Sequence, residues 1–261
     1  MSRLDSELVA RGLARSRERA KEMIRSGSVK VNGKTAKKPS DEVSETDGIV
    51  SEETDLFVGR GALKLEKAVN EFGIDLRGKI CLDIGASTGG FTDYMLQNGA
   101  ARVYAVDVGH GQLAEPLRND KRVVNMEGTD IREVTCEDIG GNADFISADV
   151  SFISLTKILP KIYELLAENA CAAVLIKPQF EAGRNNIGKH GIVRDRKVHI
   201  RVLSDIDSFA RSIGFVTVGY TYSPVRGGSG NIEYLVKLCK SSGGSEIHDF
   251  KELTDSSFSK L

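Results

Sequence analysis

The chain has 261 residues, of which 40% are hydrophobic and 28% charged, with 36 Lys/Arg against 37 Asp/Glu. That length admits two domains, and the composition is that of an ordinary soluble protein rather than a disordered or fibrous one. The longest wholly apolar run near the middle, residues 170–176, is far short of a membrane span, and the charged N-terminus has no signal-peptide core. Cys81, Cys136, Cys171 and Cys239 are scattered without a C-x-x-C pair, and the four histidines show no H-x-x-x-H spacing. Buried thiols in a reducing cytoplasm are expected, with no disulfide frame and no metal site.

Charge is segregated along the chain. Residues 1–38 hold 11 Lys/Arg against 4 Asp/Glu, so the remainder is acidic. A basic head on an acidic body suggests a polyanion-binding module joined to something else. In the head, Leu4, Leu8 and Val9 fit one helix face, closed by Gly12. Ser16 can cap a second helix, with Ala20, Met23 and Ile24 as its core stripe. Arg17, Lys21 and Arg25 recur on a neighbouring face of that helix. SVKVNGKTA then reads as a hairpin turning at Asn32-Gly33, with Lys30 and Lys34 beside the turn. A basic helix face and a basic hairpin can dock across phosphates. No aromatic residue precedes Phe57, so base stacking is not the method of this module, and structured RNA read by shape is the expected partner. An acidic stretch, residues 41–55, supplies a last strand and a linker.

Beyond the linker, helix and strand signals alternate. GALKLEKAVNEFG puts Ala62, Leu65, Ala68, Val69 and Phe72 on one helix face, with Gly73 as cap. Strands are expected near 79–84, 102–107, 121–126, 143–149, 170–177, 215–222 and 231–238. Helices fit near 89–98, 154–168 and 195–213. This is a doubly wound α/β sheet of about seven strands, the last two too close for a crossover helix and so antiparallel. The first strand runs into CLDIGASTGG, a small-residue turn at Gly85-Ala86-Ser87-Thr88-Gly89-Gly90 before a helix. The spacing matches neither G-x-G-x-x-G nor the phosphate-loop motif. Asp83, expected at the strand end and facing the crevice, would repel a phosphate and favour an amine or sulfonium. Asp107 ends the second strand, where an acidic residue commonly binds a ribose diol. Nucleoside ribose plus a cationic amino-acid group describes S-adenosylmethionine. Four charged residues interrupt apolar sequence: Lys64 early in the first body helix, Asp149 closing the fourth strand, Lys177 closing the fifth, and Glu233 entering the last. Asp149 and Lys177 should be neighbours at the crevice, where perturbed groups mark a reaction centre. After Lys240 the chain reads as a flexible joint and one short helix.

The head, through R-L-D, S-R-x-x-A-x-x-x-I-x-x-G-x-V-x-V-N-G and K-P-S, resembles the small RNA-binding module named after ribosomal protein S-four. The body is similar to Rossmann-like S-adenosylmethionine-dependent methyltransferases, and its K-D-K-E order resembles the tetrad of RNA ribose 2′-O-methyltransferases of the FtsJ-like kind. Together, through VGRGALKL, LDIGASTGGFTD, ADVSFISL, LIKPQFEAGR, KHGIVRD and SPVRGGSGNIEYL, the chain resembles the TlyA family, often labelled hemolysins. One departure is Asp55-Leu56-Phe57-Val58, where an aromatic-containing basic tetrapeptide is familiar. The resemblance implies an RNA-binding domain at 1–50, a linker at 51–59, a methyltransferase domain at 60–240 and a tail at 241–261. It implies cytidine 2′-O-methylation of ribosomal RNA or ribosomal subunits. It places Asp130 near the adenine amine, although an Asp there equally caps the following turn. The turn residues Gly85, Ala86, Ser87, Thr88 and Gly89, with Asp83 and Asp107, complete the expected cofactor set.

A ribose hydroxyl is a poor nucleophile at neutral pH and needs a base. Lys177 is the expected base, Lys64 a second positive charge, Asp149 the group that orients Lys177 and the hydroxyl, and Glu233 the group that holds Lys64. Phe180 and Glu181 are candidates to line the nucleoside pocket; Arg184, Lys189, Arg194 and Arg226 lie on loops that could reach phosphates. Two other classes remain: a pore-forming cytolysin, for which no spanning helix or alternating barrel run stands out, and a non-catalytic RNA-binding assembly factor.

Overall fold

The computed structural model describes residues 2–14, 17–51 and 57–261, in two compact units that divide between Leu56 and Phe57. Ser16 and Asp55-Leu56 lie outside the described residues.

In the first unit, strand β1 (Ser2–Arg3) leads into helices α1 (Leu4–Ala10) and α2 (Arg17–Arg25). Strands β2 (Val29–Val31), β3 (Lys34–Thr35), β4 (Glu42–Val43) and β5 (Ile49–Ser51) follow. Leu4, Leu8, Ala20, Met23, Ile24 and Val29 form its core, the stripe that the helical periodicity marks. The β2–β3 hairpin turns at Asn32 and Gly33, both with positive φ (52° and 79°), as a type I′ turn requires. The unit carries 11 Lys/Arg and 11 Asp/Glu over residues 1–56. The expected charge asymmetry therefore lies within this unit, between residues 1–38 and the acidic stretch after them, rather than between the two units.

The second unit is a seven-stranded sheet with helices on both faces. Its elements are α3 (Ala62–Phe72), β6 (Ile80–Ile84), α4 (Gly90–Gln97), β7 (Arg102–Asp107), α5 (Glu115–Arg118), β8 (Val123–Glu127), β9 (Ala143–Ala148), α6 (Leu159–Leu165), β10 (Leu166–Ile176), α7 (Pro178–Glu181), α8 (Arg196–Ser212), β11 (Val216–Tyr222), β12 (Tyr234–Cys239) and α9 (Phe250–Lys260). The strand order is β11-β12-β10-β9-β6-β7-β8. β12 alone runs antiparallel to its neighbours. It is inserted between β10 and β11, so the reversed strand lies one place in from the edge. Alternation along each strand feeds two cores. Leu82, Ile84, Ile146, Val174 and Ile176 face α6 and α8, whereas Cys81, Phe145, Ala173 and Leu175 face α3 and α4. The tail is not loose: α9 is capped by Asp249, and Phe250, Leu253 and Phe258 pack on the first of these cores.

Cys171 and Cys239 form a disulfide, against the expectation of four free thiols. They occupy facing positions on β10 and β12, with Cα atoms 4.1 Å apart. Their separation of 68 positions conceals that pairing in the sequence.

The chain turns from β6 to β7 and β8 on one side and crosses to β9 and β10 on the other. The crevice at this switch point, outside the carboxyl ends of β6 and β9, is where open α/β sheets bind ligands.

Candidate active site

The glycine turn leaves β6 at that switch point. Gly85 has φ +79°, and a Cβ there would lie 2.5 Å from the carbonyl oxygen of Asp149. Only glycine allows the turn to press against the end of β9. Ser87 also takes a positive φ of 48°, and its backbone N–H donates to Asp107 at 2.8 Å. Gly89 has φ +95° at the start of α4, and its missing side chain makes room for Leu113 and Leu117 rather than for a ligand.

Two clefts open around this turn. One, of about 500 Å³, is lined by Ile84, Val106, Ile131, Ile153 and Ile158, with Asp107 and Asp130 at its acidic end. Each carboxylate oxygen of Asp107 accepts one backbone N–H, from Ser87 and from Gly109. A carboxylate has about four acceptor sites, so room remains for a ribose diol. Asp130 caps the short helical turn after it by accepting from the Arg132 N–H, and also pairs with the Arg132 guanidinium. That pairing holds its carboxyl below the usual range. The capping role is therefore observed, and Asp130 also lines the cleft. Apolar walls, carboxylates and one already neutralised arginine suit a nucleoside with a cationic tail and disfavour a phosphate. The residues present thus fit S-adenosylmethionine.

The other cleft, about 290 Å³, is lined by Arg60, Gly61, Lys64, Ala86, Thr88, Phe91, Lys177 and Arg226, among others. Gly85, Ser87, Asp149 and Ser151 line both clefts and so form the wall they share.

The four interrupting charges converge at that wall. Asp149 and Lys177 directly follow β9 and β10, so their side chains project past the sheet edge. Glu233 directly precedes β12, and because β12 is reversed its start lies at the same edge, where Tyr234 pairs with Ile176. Lys64 comes from the first turn of α3. Its Nζ donates to Glu233 at 2.8 Å and to Oδ2 of Asp149 at 3.2 Å. Burial opposes the charge on Lys64, but the two carboxylates outweigh it and hold the ammonium above the ordinary lysine range. Lys177 Nζ lies 2.5 Å from Oδ1 of Asp149. That approach is off the hydrogen-bond direction, so it is a charge contact rather than an aligned bond. The aligned bond of Lys177 goes to Ser151 Oγ at 2.9 Å. Asp149 therefore bridges the two lysines. Such a buried cluster is a weak source of stability, since desolvation offsets much of the attraction.

Asp83 departs from expectation. It lies inside β6, paired across the sheet with Ser147, and strand alternation turns its side chain under α4. There it accepts from Thr92 Oγ1 at 2.7 Å and Ser147 Oγ at 3.0 Å, fully buried and lining neither cleft. Burial pushes its carboxyl up to about 6, against the pull of those two hydroxyls. Glu181 likewise departs from a nucleoside-lining role: it accepts from Ser154 Oγ and the Leu155 N–H, tying α7 to the loop after Asp149. Phe180 meets Phe152 at a tilt of 51°, with ring centroids 5.0 Å apart. Arg226 lines the second cleft while its guanidinium donates to the carbonyls of Gly230 and Leu261. In the linker, the Val58 N–H donates to Asp93, and Phe57 meets the Tyr94 ring at 5.4 Å.

Ser151 and Phe152 escaped the sequence reading. Phe152 is 91% exposed with φ 64°, which a bulky residue rarely adopts. The available signal was their place in ADVSF, two and three residues past Asp149.

In the first unit, Arg17 pairs with Asp5 and Lys21 with Glu18 on α2, Arg25 ends that helix, and Lys30 and Lys34 lie on β2 and β3.

Residues 57–240 match the FtsJ-like methyltransferase family and residues 2–49 the S4 domain. The chain belongs to the FtsJ-like methyltransferase family. Within it, the chain is 46% identical to the 16S/23S rRNA (cytidine-2′-O)-methyltransferase TlyA of Mycobacterium tuberculosis, over 91% of this chain and 89% of that protein. It is 45% identical to Hemolysin A of Brachyspira hyodysenteriae, over 89% and 98%. A solved protein from Streptococcus thermophilus that bears the hemolysin name superposes with a TM-score of 0.80 at 42% identity, covering 99% of this chain and 96% of that one. The chain is thus a TlyA-type member of the family. Among the described residues, no helix is long and apolar enough to cross a membrane.

Proposed function

We propose that this protein methylates the 2′-hydroxyl of a cytidine ribose in ribosomal RNA, using S-adenosylmethionine, in the cytoplasm. The observation that carries the reading is the convergence of Lys64, Asp149, Lys177 and Glu233: Asp149 lies on the wall shared by the two clefts and pairs with both lysines, and Glu233 pairs with Lys64. The relative from M. tuberculosis is named for this reaction on 16S and 23S rRNA.

S-adenosylmethionine supplies, when bound, a methyl carbon activated by a positive sulfur. Asp107 would hold the ribose diol of the cofactor, with Val106, Ile131 and Ile153 as apolar lining for its base. The acceptor ribose enters the second cleft, with Arg60 and Arg226 at its rim for the flanking phosphates. Lys177 would take the proton that the hydroxyl loses as the methyl group leaves sulfur for oxygen. Asp149 would steady the positive charge that Lys177 gains with that proton, and Lys64, kept cationic by Glu233, anchors Asp149 from the other side. Much of the remaining rate gain comes from holding oxygen, carbon and sulfur in line. Exposed Phe152, in contact with half-buried Phe180 and three residues past Asp149 of the shared wall, offers an aromatic face for the target base. The basic residues Arg17, Lys21, Arg25, Lys30 and Lys34 of the first unit dock structured RNA.

The test is transfer of labelled methyl to ribosomal subunits and to free rRNA, with the modified nucleotide mapped. Lys177→Ala should lose turnover by about 10²–10⁴-fold, the usual share of a general base, while calorimetry finds S-adenosylhomocysteine bound as in the parent. Turnover retained by Lys177→Ala overturns the assignment.

A further inference from the structure

We propose that Ser151 is a positioning residue that aims the lone pair of Lys177 at the acceptor hydroxyl; this rests on the reading of Lys177 as the base. A lysine amine on four methylenes rotates freely unless its N–H groups are tied down. Here the charge contact with Asp149 Oδ1, at 2.5 Å, lacks hydrogen-bond alignment and so supplies attraction without direction. Direction comes from Ser151, whose Oγ accepts from Nζ at 2.9 Å, the aligned hydrogen bond of Lys177 among the described residues.

With one N–H fixed on Ser151 and Nζ drawn toward Asp149 by charge, a remaining corner of the tetrahedral amine is left for the cleft that Lys177 lines. Ser151 Oγ accepts from the amine with or without its charge, so loss of a proton leaves that bond in place and puts the lone pair at the free corner. Ser151 is well placed to set this orientation: it sits two residues past Asp149 and lines both clefts. It is also exposed, so its hydroxyl is not retained to satisfy a buried core group. Without it the amine stays beside Asp149 but turns there, and the lone pair meets the hydroxyl in a fraction of the population.

The experiment compares Ser151→Ala and Ser151→Thr with the full-length parent, using methyl transfer to ribosomal subunits, S-adenosylhomocysteine calorimetry and thermal melting. Ser151→Ala should lower kcat by about ten- to a hundredfold, the scale of a misaligned reacting group, with the KM for RNA, the Kd for S-adenosylhomocysteine and Tm unchanged. Ser151→Thr restores a hydroxyl at the same Cβ and should recover most of the lost kcat. An unchanged kcat in Ser151→Ala overturns the proposal. So does a loss that Thr fails to repair, or one matched by weaker S-adenosylhomocysteine binding, which would assign Ser151 to the cofactor. If the parent itself transfers no methyl to subunits or free rRNA, it is the methyltransferase reading that falls, whatever the Ser151 variants do.

Discussion

At the scale of single residues, Asp83 shows how position along a strand decides what a carboxylate does. One residue beyond β6 it would have faced the crevice; inside β6 it is sealed under α4 with two hydroxyl donors. Its folded value of about 6 lies above the roughly 3.9 of an unfolded aspartate. Asp83 therefore adds stability below about pH 4, and that contribution is lost as the pH rises through about 6. Asp83→Asn keeps the shape, and its amide can accept from one hydroxyl and donate to the other. The variant should be more stable than the parent at pH 7.5, on the order of 2–3 kcal/mol, with the gap closing toward pH 4. Urea denaturation at both pH values measures this; a variant weaker than the parent at pH 7.5 would refute it. Lys64 and Lys177 contrast with Asp83, since both lie where an element ends or begins and their ammonium groups reach the cleft.

At the scale of elements, the site depends on how closely the glycine turn presses on the strand beside it. Gly85→Ala would bring a Cβ to 2.5 Å from the Asp149 carbonyl, a backbone atom that cannot rotate away. The positive φ adds about 1–2 kcal/mol of handedness cost. The end of β9 must then shift, carrying Asp149 and Ser151 with it. We expect Gly85→Ala to lower both S-adenosylhomocysteine affinity and kcat, the latter by about a hundredfold for an ångström-scale displacement. Gly244→Ala, with open space around the new methyl group, is the control and should leave both unchanged. Calorimetry and single-turnover methyl transfer read the two effects; a fully active Gly85→Ala would show that the turn tolerates displacement. The reversal of β12 matters in the same way, because only an antiparallel strand brings the start of a segment, and hence Glu233, to the edge where β9 and β10 end.

At the scale of the whole molecule, each unit has a core of its own, and both clefts are lined by residues of the second unit alone. A chain of residues 57–261 should therefore keep S-adenosylhomocysteine affinity while its KM for ribosomal RNA rises. Loss of up to five phosphate-contacting side chains should also flatten the slope of log affinity against log salt by up to about 4. Filter binding across a salt series checks this, and an unchanged slope would remove the first unit from RNA docking. The order of strands and helices, the hairpin at Asn32-Gly33 and the glycine turn were all legible in the chain. Each is set by alternation, helical spacing or turn chemistry within about a dozen residues. The four charged residues stood out for the same reason, as breaks in apolar runs. The disulfide between Cys171 and Cys239, the burial of Asp83 beneath Thr92, the bridging of both lysines by Asp149 and the bond from Lys177 to Ser151 were not legible. Local pattern by itself determined which elements form and which residues end them. Only the tertiary structure decided which side chains meet, because those partners depend on the register between strands distant in sequence and on which face a helix covers, neither of which nearby residues encode.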